Sequence, residues 1–342
     1  MKILIVGPSW VGDAVMAQTL FKLIKEKNNN TVIDVLAPSW ALSVFKRMKE
    51  INQIIAMPFG HGEIRLKERR SFALGLKVNK YDQAIVLPNS LKSALIPFFA
   101  DIPLRTGWRG EFRYFFLNDI RNLDKKDYPR MVDRFCVLGI KQGEKLPEIK
   151  SPSLITDGSN ISKLIDLYSI HKEKKILTIC PGAEFGPAKR WPSNYFAEVV
   201  TYYLNKDWIV TAIGSKKDQT VVHEIESFLN ENHPNFINTV GNTNLEDAID
   251  LLSISSLVLT NDSGLMHIAS ALDIPLLALF GPTSPEFTPP LGEKSEIIRK
   301  VKGYMKLRKG DLPGGYHSSL FSIKPQETID KLESMEKTFI SF

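Results

Sequence analysis

The chain is 342 residues long, more than one domain usually holds, so two domains are expected. Its 43% hydrophobic and 24% charged residues exclude a disordered or low-complexity chain. A formal charge of +6 favours an acidic ligand or an anionic surface. It falls short of the basic stripe of a nucleic-acid binder, and no nucleic-acid partner is expected.

Cys136 and Cys180 stand in apolar contexts and read as buried free thiols of a reducing compartment. The opening MKILIVGPSWVGDAV is not read as a signal peptide: Lys2 is its only early charge, and Pro8, Gly12 and Asp13 interrupt the run. No apolar span reaches the length of a membrane helix. A cytoplasmic protein that touches a membrane surface is expected.

Residues 3–6 read as a buried strand, 7–13 as a glycine-bearing turn, and 14–27 as a helix with Val15, Leu20, Leu23 and Ile24 on its apolar face. The turn, GPSWVGD, does not have the spacing of a dinucleotide fingerprint and argues against a nicotinamide cofactor. Strands at 31–36, 54–57 and 84–87 then alternate with helices at 41–48, up to about 77, and 93–99. That beat is doubly wound α/β. A donor-rich segment, Arg105-Thr106-Gly107-Trp108-Arg109-Gly110, follows a short strand or turn, and 131–138 is the last strong helix of the first half. Between 143 and 175 the pattern loosens around Pro147, Pro152 and Gly158, and the domain boundary is placed there.

The second half opens with a strand at 176–180 that feeds the loop PGAEFGPAKRWP. A helix at 195–204, a strand at 209–213, a helix at 221–229, an edge strand at 236–238 and a helix at 245–252 follow. The stretch 257–287 is the centre of the reading. It gives a strand, the polar turn Asn261-Asp262-Ser263-Gly264, a helix at 265–272, a strand at 276–280 and a second polar turn, Gly281-Pro282-Thr283-Ser284-Pro285. Both turns lie at carboxyl ends of strands, where open α/β sheets bind ligands. Amides at the helix start favour phosphate, and Asp262 asks for hydroxyls or a basic partner. A ligand with phosphate and sugar hydroxyls satisfies both. A last strand at 295–301, a polar loop at 303–319 and a terminal helix at 328–340 complete the chain.

Asp13 reads either as a general base facing a hydroxyl or as the N-cap of the helix at 14. Lys189 and Arg190 are a diphosphate clamp or two solvated charges. Trp191 is a core anchor. His267 is a neutral histidine near an anion site or a satisfied buried one, and no ligand spacing for zinc accompanies it. His61, Arg105, Arg109, Lys306, Arg308, Lys309 and His317 are donors on loops, able together to line a positive cleft for a phosphorylated acceptor.

Five long stretches carry a resemblance: MKILIVGPSWVGD at 1–13, VLPNSLKSALIPFFA at 86–100 with RTGWRGE at 105–111, CPGAEFGPAKRWP at 180–192, TNDSGLMHIA at 260–269 and GPTSPEFTPPL at 281–291. Together they resemble the heptosyltransferase II group of glycosyltransferase family 9, from end to end. The resemblance implies a GT-B α/β fold: two facing Rossmann-like domains with a central cleft. Residues 1–160 would bind acceptor and 172–325 ADP-heptose, and a terminal helix at 326–342 would cross back to the first domain.

Carried over by residue, the resemblance implies Asp13 as catalytic base and Lys189 beside the donor diphosphate. Arg190, Asp262, Ser263, Gly264, Leu265 and His267 would complete the donor site, with Asp218 on adenosine hydroxyls. Asn89, Ser90, Lys92, Arg105 and Arg109 would bind acceptor. The segment GYMKLRKGDLPGGYHSSL resembles the family's late loop but departs at Leu312-Pro313-Gly314.

The implied chemistry is an inverting, metal-independent transfer of L-glycero-D-manno-heptose from ADP-heptose to the first heptose of the lipopolysaccharide inner core, on a lipid A–Kdo acceptor. ADP-heptose is then a co-substrate, and no cofactor is needed. The enzyme would sit peripherally on the inner face of the cytoplasmic membrane, through the arginines of 65–70 or 105–113. A transferase adding the first heptose to Kdo, a hydrolase or epimerase of a sugar nucleotide, and a non-enzymatic binder remain open.

Overall fold

The computed structural model describes residues 1–60, 62–171, 173–229 and 233–340. It divides into two compact units, Met1–Pro152 and Ser153–Phe342. In the first, β1 (Lys2–Val6), β2 (Val32–Pro38), β3 (Gln53–Met57), β4 (Gln83–Val86), β5 (Leu104–Trp108) and β6 (Asp119–Arg121) form one parallel sheet in the order β3-β2-β1-β4-β5-β6. In the second, β7 (Ile176–Cys180), β8 (Ile209–Ala212), β9 (Phe236–Asn238), β10 (Leu257–Asn261), β11 (Leu276–Phe280) and β12 (Ser295–Arg299) form another, ordered β12-β11-β10-β7-β8-β9.

Read from its other edge, the second sheet has the winding of the first. Each starts at a central strand, runs out to one side, and returns to begin the other half. The central strands explain themselves. Helices cover both faces of such sheets, so Lys2–Val6, Leu257–Asn261 and Leu276–Phe280 are apolar runs buried almost throughout. Leu259 lies level with Ile179 on one side and Leu277 on the other. Strand β6 escapes sequence reading because it has three residues and a single apolar one, Ile120.

The first helix, Val11–Lys27, starts three residues before the expected 14, with Trp10 as its N-cap residue. Asp13 is therefore not the cap. It lies in the first helical turn, where its carboxylate complements the exposed amides.

The boundary between units, Pro152 to Ser153, falls inside the loosened stretch. The helix Gly158–Leu167 belongs to the second unit because Asn160 Nδ2 donates to Asp247 (3.0 Å) and Asp250 (2.9 Å), and the Asp157 amide donates to Asp250 (2.9 Å). The terminal helix is packed within the second unit as well. Pro325–Phe339 lies on Ser193–Asn205, with Ile329, Leu332 and Met335 in one core with Trp191, Phe196 and Tyr203. Glu333 accepts from Tyr202 and Lys206, and Glu336 from Lys175 and Lys206.

Trp191 is the core anchor it was read as. Its ring is fully buried against Tyr195 and Phe196, and its indole N–H donates to the Ile323 carbonyl at 3.0 Å. Both cysteines are buried and free. No helix among the described residues is long and apolar enough to cross a membrane.

Candidate functional site

In each sheet the strand order reverses between the first strand and the fourth, and ligands of such folds bind beyond the carboxyl ends at that switch point. In the second unit the flanking segments are the loop after β7 and the turn after β10. Asn261 joins them: its Nδ2 donates to the Pro181 carbonyl at 2.7 Å, and its Oδ1 accepts from the Trp191 amide at 3.0 Å. The loop's two ends are thereby fixed to the last residue of β10. Sequence reading passed Asn261 over as a cap-forming residue.

Asp262 is almost fully buried and is held by two donors. Lys189 Nζ stands 2.5 Å and Thr283 Oγ1 2.6 Å from its Oδ2. The basic partner expected for Asp262 is thus Lys189, and the hydroxyl comes from the second polar turn. The turn itself had been singled out, but not Thr283. Next to this cluster the helix Gly264–Ala271 begins, with Ser263 as N-cap and no side-chain cap bond. Its opening residues, Gly264 and Leu265, are half-buried, and their amides belong to the helix start beside the switch point.

His267, one turn into the helix, is buried, and burial lowers its pKa to about 4, opposed by Asp262 and reinforced by Lys189. It is neutral at pH 7. The unfolded chain binds this proton from about pH 6.5 downward and the folded chain only near 4, so stability is full above 6.5 and falls as pH drops toward 4. The loss reaches about 3 kcal/mol for the ~2.5-unit difference. Thermal melts at pH 7 and pH 4.5 should show a smaller acid-induced drop in Tm for His267→Gln than for wild type. Equal drops would exclude His267 as the source.

Asp218, expected on adenosine hydroxyls, is tied into the loop between β8 and the next helix. Its Oδ2 accepts from the Ser215 amide (3.0 Å) and hydroxyl (2.8 Å), and its buried Oδ1 lies 3.6 Å from Arg190. The carboxylate sits under Gly182, where a Cβ would come within 2.5 Å of all three of its carboxyl atoms. Asp218 thus holds Arg190 and the loop after β7, and Gly182 is needed for the fit.

In the first unit, Asp13 and the turn after β4 flank the corresponding switch point. The turn is internally braced. Asn89 Oδ1 accepts from the buried Arg113, which also donates to the Pro88 and Trp108 carbonyls. Burial lowers the Arg113 pKa to about 10, still protonated at neutral pH. Glu111 accepts from the Leu91 amide at 3.0 Å and so occupies the start of the helix Leu91–Phe99, next to Ser90 and Lys92. Glu111 closes the motif RTGWRGE without having been singled out, and Arg113, two residues on, had been read only as a membrane-facing arginine.

The loop donors divide. Arg105 is committed internally, to the carbonyls of Ile102 (2.6 Å) and Phe116 (2.7 Å) and the ring of Phe98. Arg109 donates to the Tyr114 hydroxyl at 2.9 Å and stays near the surface. His317 is buried, with Nδ1 2.7 Å from Ser319 Oγ, and is a loop brace. His61 lies outside the described residues. Arg69, in one of the two segments expected at a membrane, is buried over Phe59 and donates to the Glu63 and Ile64 carbonyls. Arg113, in the other, is buried too. Phe112 in the second segment (84%) and Phe115 just beyond it (87%) are nonetheless exposed.

Known proteins agree with this layout. The family model described as glycosyltransferase family 9 (heptosyltransferase) matches residues 69–317. The chain is 47% identical to lipopolysaccharide heptosyltransferase 2 of Salmonella typhimurium over 98% of both chains. It is 45% identical to lipooligosaccharide heptosyltransferase 2 of Haemophilus influenzae over 98% of this chain and 99% of that one. Its structure matches that of Escherichia coli ADP-heptose lipopolysaccharide heptosyltransferase II with a TM-score of 0.90 and 41% identity over the whole of both chains. With its two doubly wound parallel sheets, this chain belongs to glycosyltransferase family 9 and is a GT-B heptosyltransferase.

Proposed function

We propose that the protein transfers L-glycero-D-manno-heptose, with inversion, from ADP-heptose to the first heptose of the lipopolysaccharide inner core. The observation that carries the donor half of this reading is the Lys189–Asp262–Thr283 cluster beside the uncapped start of Gly264–Ala271. A sugar diphosphate meets there one ammonium group and a fan of amides, and sugar hydroxyls meet a buried carboxylate.

Asp13 is the general base of the reaction. It takes the proton of the acceptor hydroxyl as that oxygen attacks the anomeric carbon, and ADP leaves from the opposite face. The leaving diphosphate gathers charge in the transition state, so donors fixed beforehand at its position lower the barrier. Lys189 and the helix amides act in that way without a metal ion. His267, neutral and buried, shapes the site without adding charge. Asn89, Ser90, Lys92 and Arg109 bind the acceptor, and Arg113 and Glu111 hold the turn that presents them. The exposed Phe112 and Phe115 beside Arg109 suit peripheral contact with the inner leaflet that carries the acceptor.

The test is ADP release from ADP-heptose in the presence and absence of heptosylated lipid acceptor displayed on anionic vesicles. Release is expected only with acceptor, and the protein should sediment with the vesicles. ADP release without acceptor would indicate a hydrolase, and ADP binding with no turnover a non-enzymatic binder. Failure to sediment would remove the membrane contact.

A further inference from the structure

The polar loop after β12 has a defined course in the second unit. It is stitched to the turn after β11 and to the loop after β7, which flanks the switch point. The Met305 amide donates to the Pro282 carbonyl at 2.8 Å, and the Tyr304 ring stacks edge-on against Phe287 at 5.7 Å, which ties the loop to the turn after β11. The Ala188 amide donates to the Arg308 carbonyl at 3.2 Å, which ties it to the loop after β7. Gly186 makes that approach possible: at φ 153°, it stands where a Cβ would lie 2.3 Å from the Arg308 oxygen. The departure at Leu312-Pro313-Gly314 falls at the tip of a narrow turn closed by Gly310 on Gly315 and Leu312 on Tyr316. It therefore leaves the stitched part alone.

The stitching gathers three cations around one ring. Lys189 Nζ lies 5.5 Å, Lys306 Nζ 5.8 Å and Arg308 Cζ 5.5 Å from the centre of Phe185. Among the described residues, Lys189 has a carboxylate partner in Asp262, whereas Lys306 and Arg308 have none. Like charges held together in this way repel, and the face of one aromatic ring offsets only part of that cost. The arrangement is completed by an anion. Three cations against one carboxylate leave two positive charges. A sugar nucleotide's diphosphate carries two negative ones, and a third develops as the sugar–oxygen bond breaks and ADP leaves.

We infer that Lys306 and Arg308, arrayed with Lys189 around Phe185, bind the diphosphate of the sugar nucleotide and stabilise it as it leaves. This rests on the donor reading above and assigns the late loop its part in it. Phe185 is a positioning residue that holds the three cations at a common distance.

The measurement is titration of the full-length protein with ADP and with AMP, for wild type, Lys306→Gln, Arg308→Gln and the double variant, at low and moderate salt. Both side chains are exposed, so neither change threatens the fold. Each single variant should weaken ADP binding about 5- to 10-fold, and the double more, while AMP changes by less than about twofold. The salt dependence of ADP binding should flatten in the double variant. Lys306→Arg should restore most of the affinity, and Phe185→Leu should weaken ADP at unchanged charge.

Variants that bind ADP as wild type does would overturn the inference, even if their KM for a phosphorylated acceptor rose, since the cations would then serve the acceptor. Equal losses for ADP and AMP would overturn it too, by showing a general disturbance of the loop. Wild type that fails to bind ADP would instead overturn the donor reading itself.

Discussion

Asp13→Asn is expected to lower the rate of heptose transfer by about 10²- to 10⁴-fold, the usual contribution of a positioned general base. ADP affinity should stay within about twofold, because Asp13 belongs to the first unit and the donor residues to the second. The structure makes this variant informative. Were Asp13 the N-cap of its helix, its loss would cost stability and blur the kinetic result. The cap position belongs to Trp10, and Asp13 lies within the first turn. Removing its charge there should cost only about 0.3–1 kcal/mol of favourable interaction with the helix dipole. A melt beside the kinetics separates the two effects. Asp13→Glu, which keeps the carboxylate but displaces it, should retain more activity than Asp13→Asn. Wild-type turnover in Asp13→Asn would leave the residue with a helix-start role alone.

Lys189→Met is the second large effect. Its ammonium group stands 2.5 Å from a buried carboxylate, so the substitution does two things. It withdraws a donor from the diphosphate, which for a group aimed at developing charge typically costs about 10²- to 10³-fold in rate. It also leaves Asp262 with Thr283 as its remaining side-chain partner and turns its negative charge toward the phosphates. ADP binding should therefore weaken together with kcat/KM, unlike in Asp13→Asn. Adding Asp262→Asn to Lys189→Met should recover part of the ADP affinity by removing the uncompensated charge, without restoring the rate. If the double variant binds ADP no better than Lys189→Met, the repulsion argument is wrong.

What could be read from the chain, and what could not, divides along physical lines. The central strands of both sheets are apolar runs bounded by Gly, Pro and Asn, so β1, β4, β7, β10 and β11 were recoverable from pattern and length. The three-residue β6 was not, because a strand so short carries no periodicity. The start of the first helix was misplaced because Gly12 reads as a turn residue, whereas the helix already runs through it. At the site, Lys189 and Asp262 were named from their loops, but the bond between residues 73 positions apart was visible only in three dimensions. Asn261 and Thr283 are short polar side chains whose importance comes from what they face. The partners of Asp218 in Ser215 and Arg190, and of Arg105 in backbone carbonyls, were likewise visible only in three dimensions.

The terminal helix owes its place in the second unit to contacts distant in sequence. Its apolar residues Ile329, Leu332 and Met335 find a core at Trp191 and Phe196, and its acidic ones find Lys175, Tyr202 and Lys206. Those partners are all within the second unit. Nothing local in the sequence Pro325–Phe339 specifies that choice, since an amphipathic helix fits any apolar surface of suitable width.

The measurement that bears most directly on the proposed activity is product formation from ADP-heptose with two acceptors that differ by one sugar, lipid A–Kdo with and without its first heptose. The account predicts that ADP is released, and a second heptose joined with inverted anomeric configuration, only on the heptosylated acceptor. Transfer to the heptose-free acceptor, or retention of configuration on either, would contradict it.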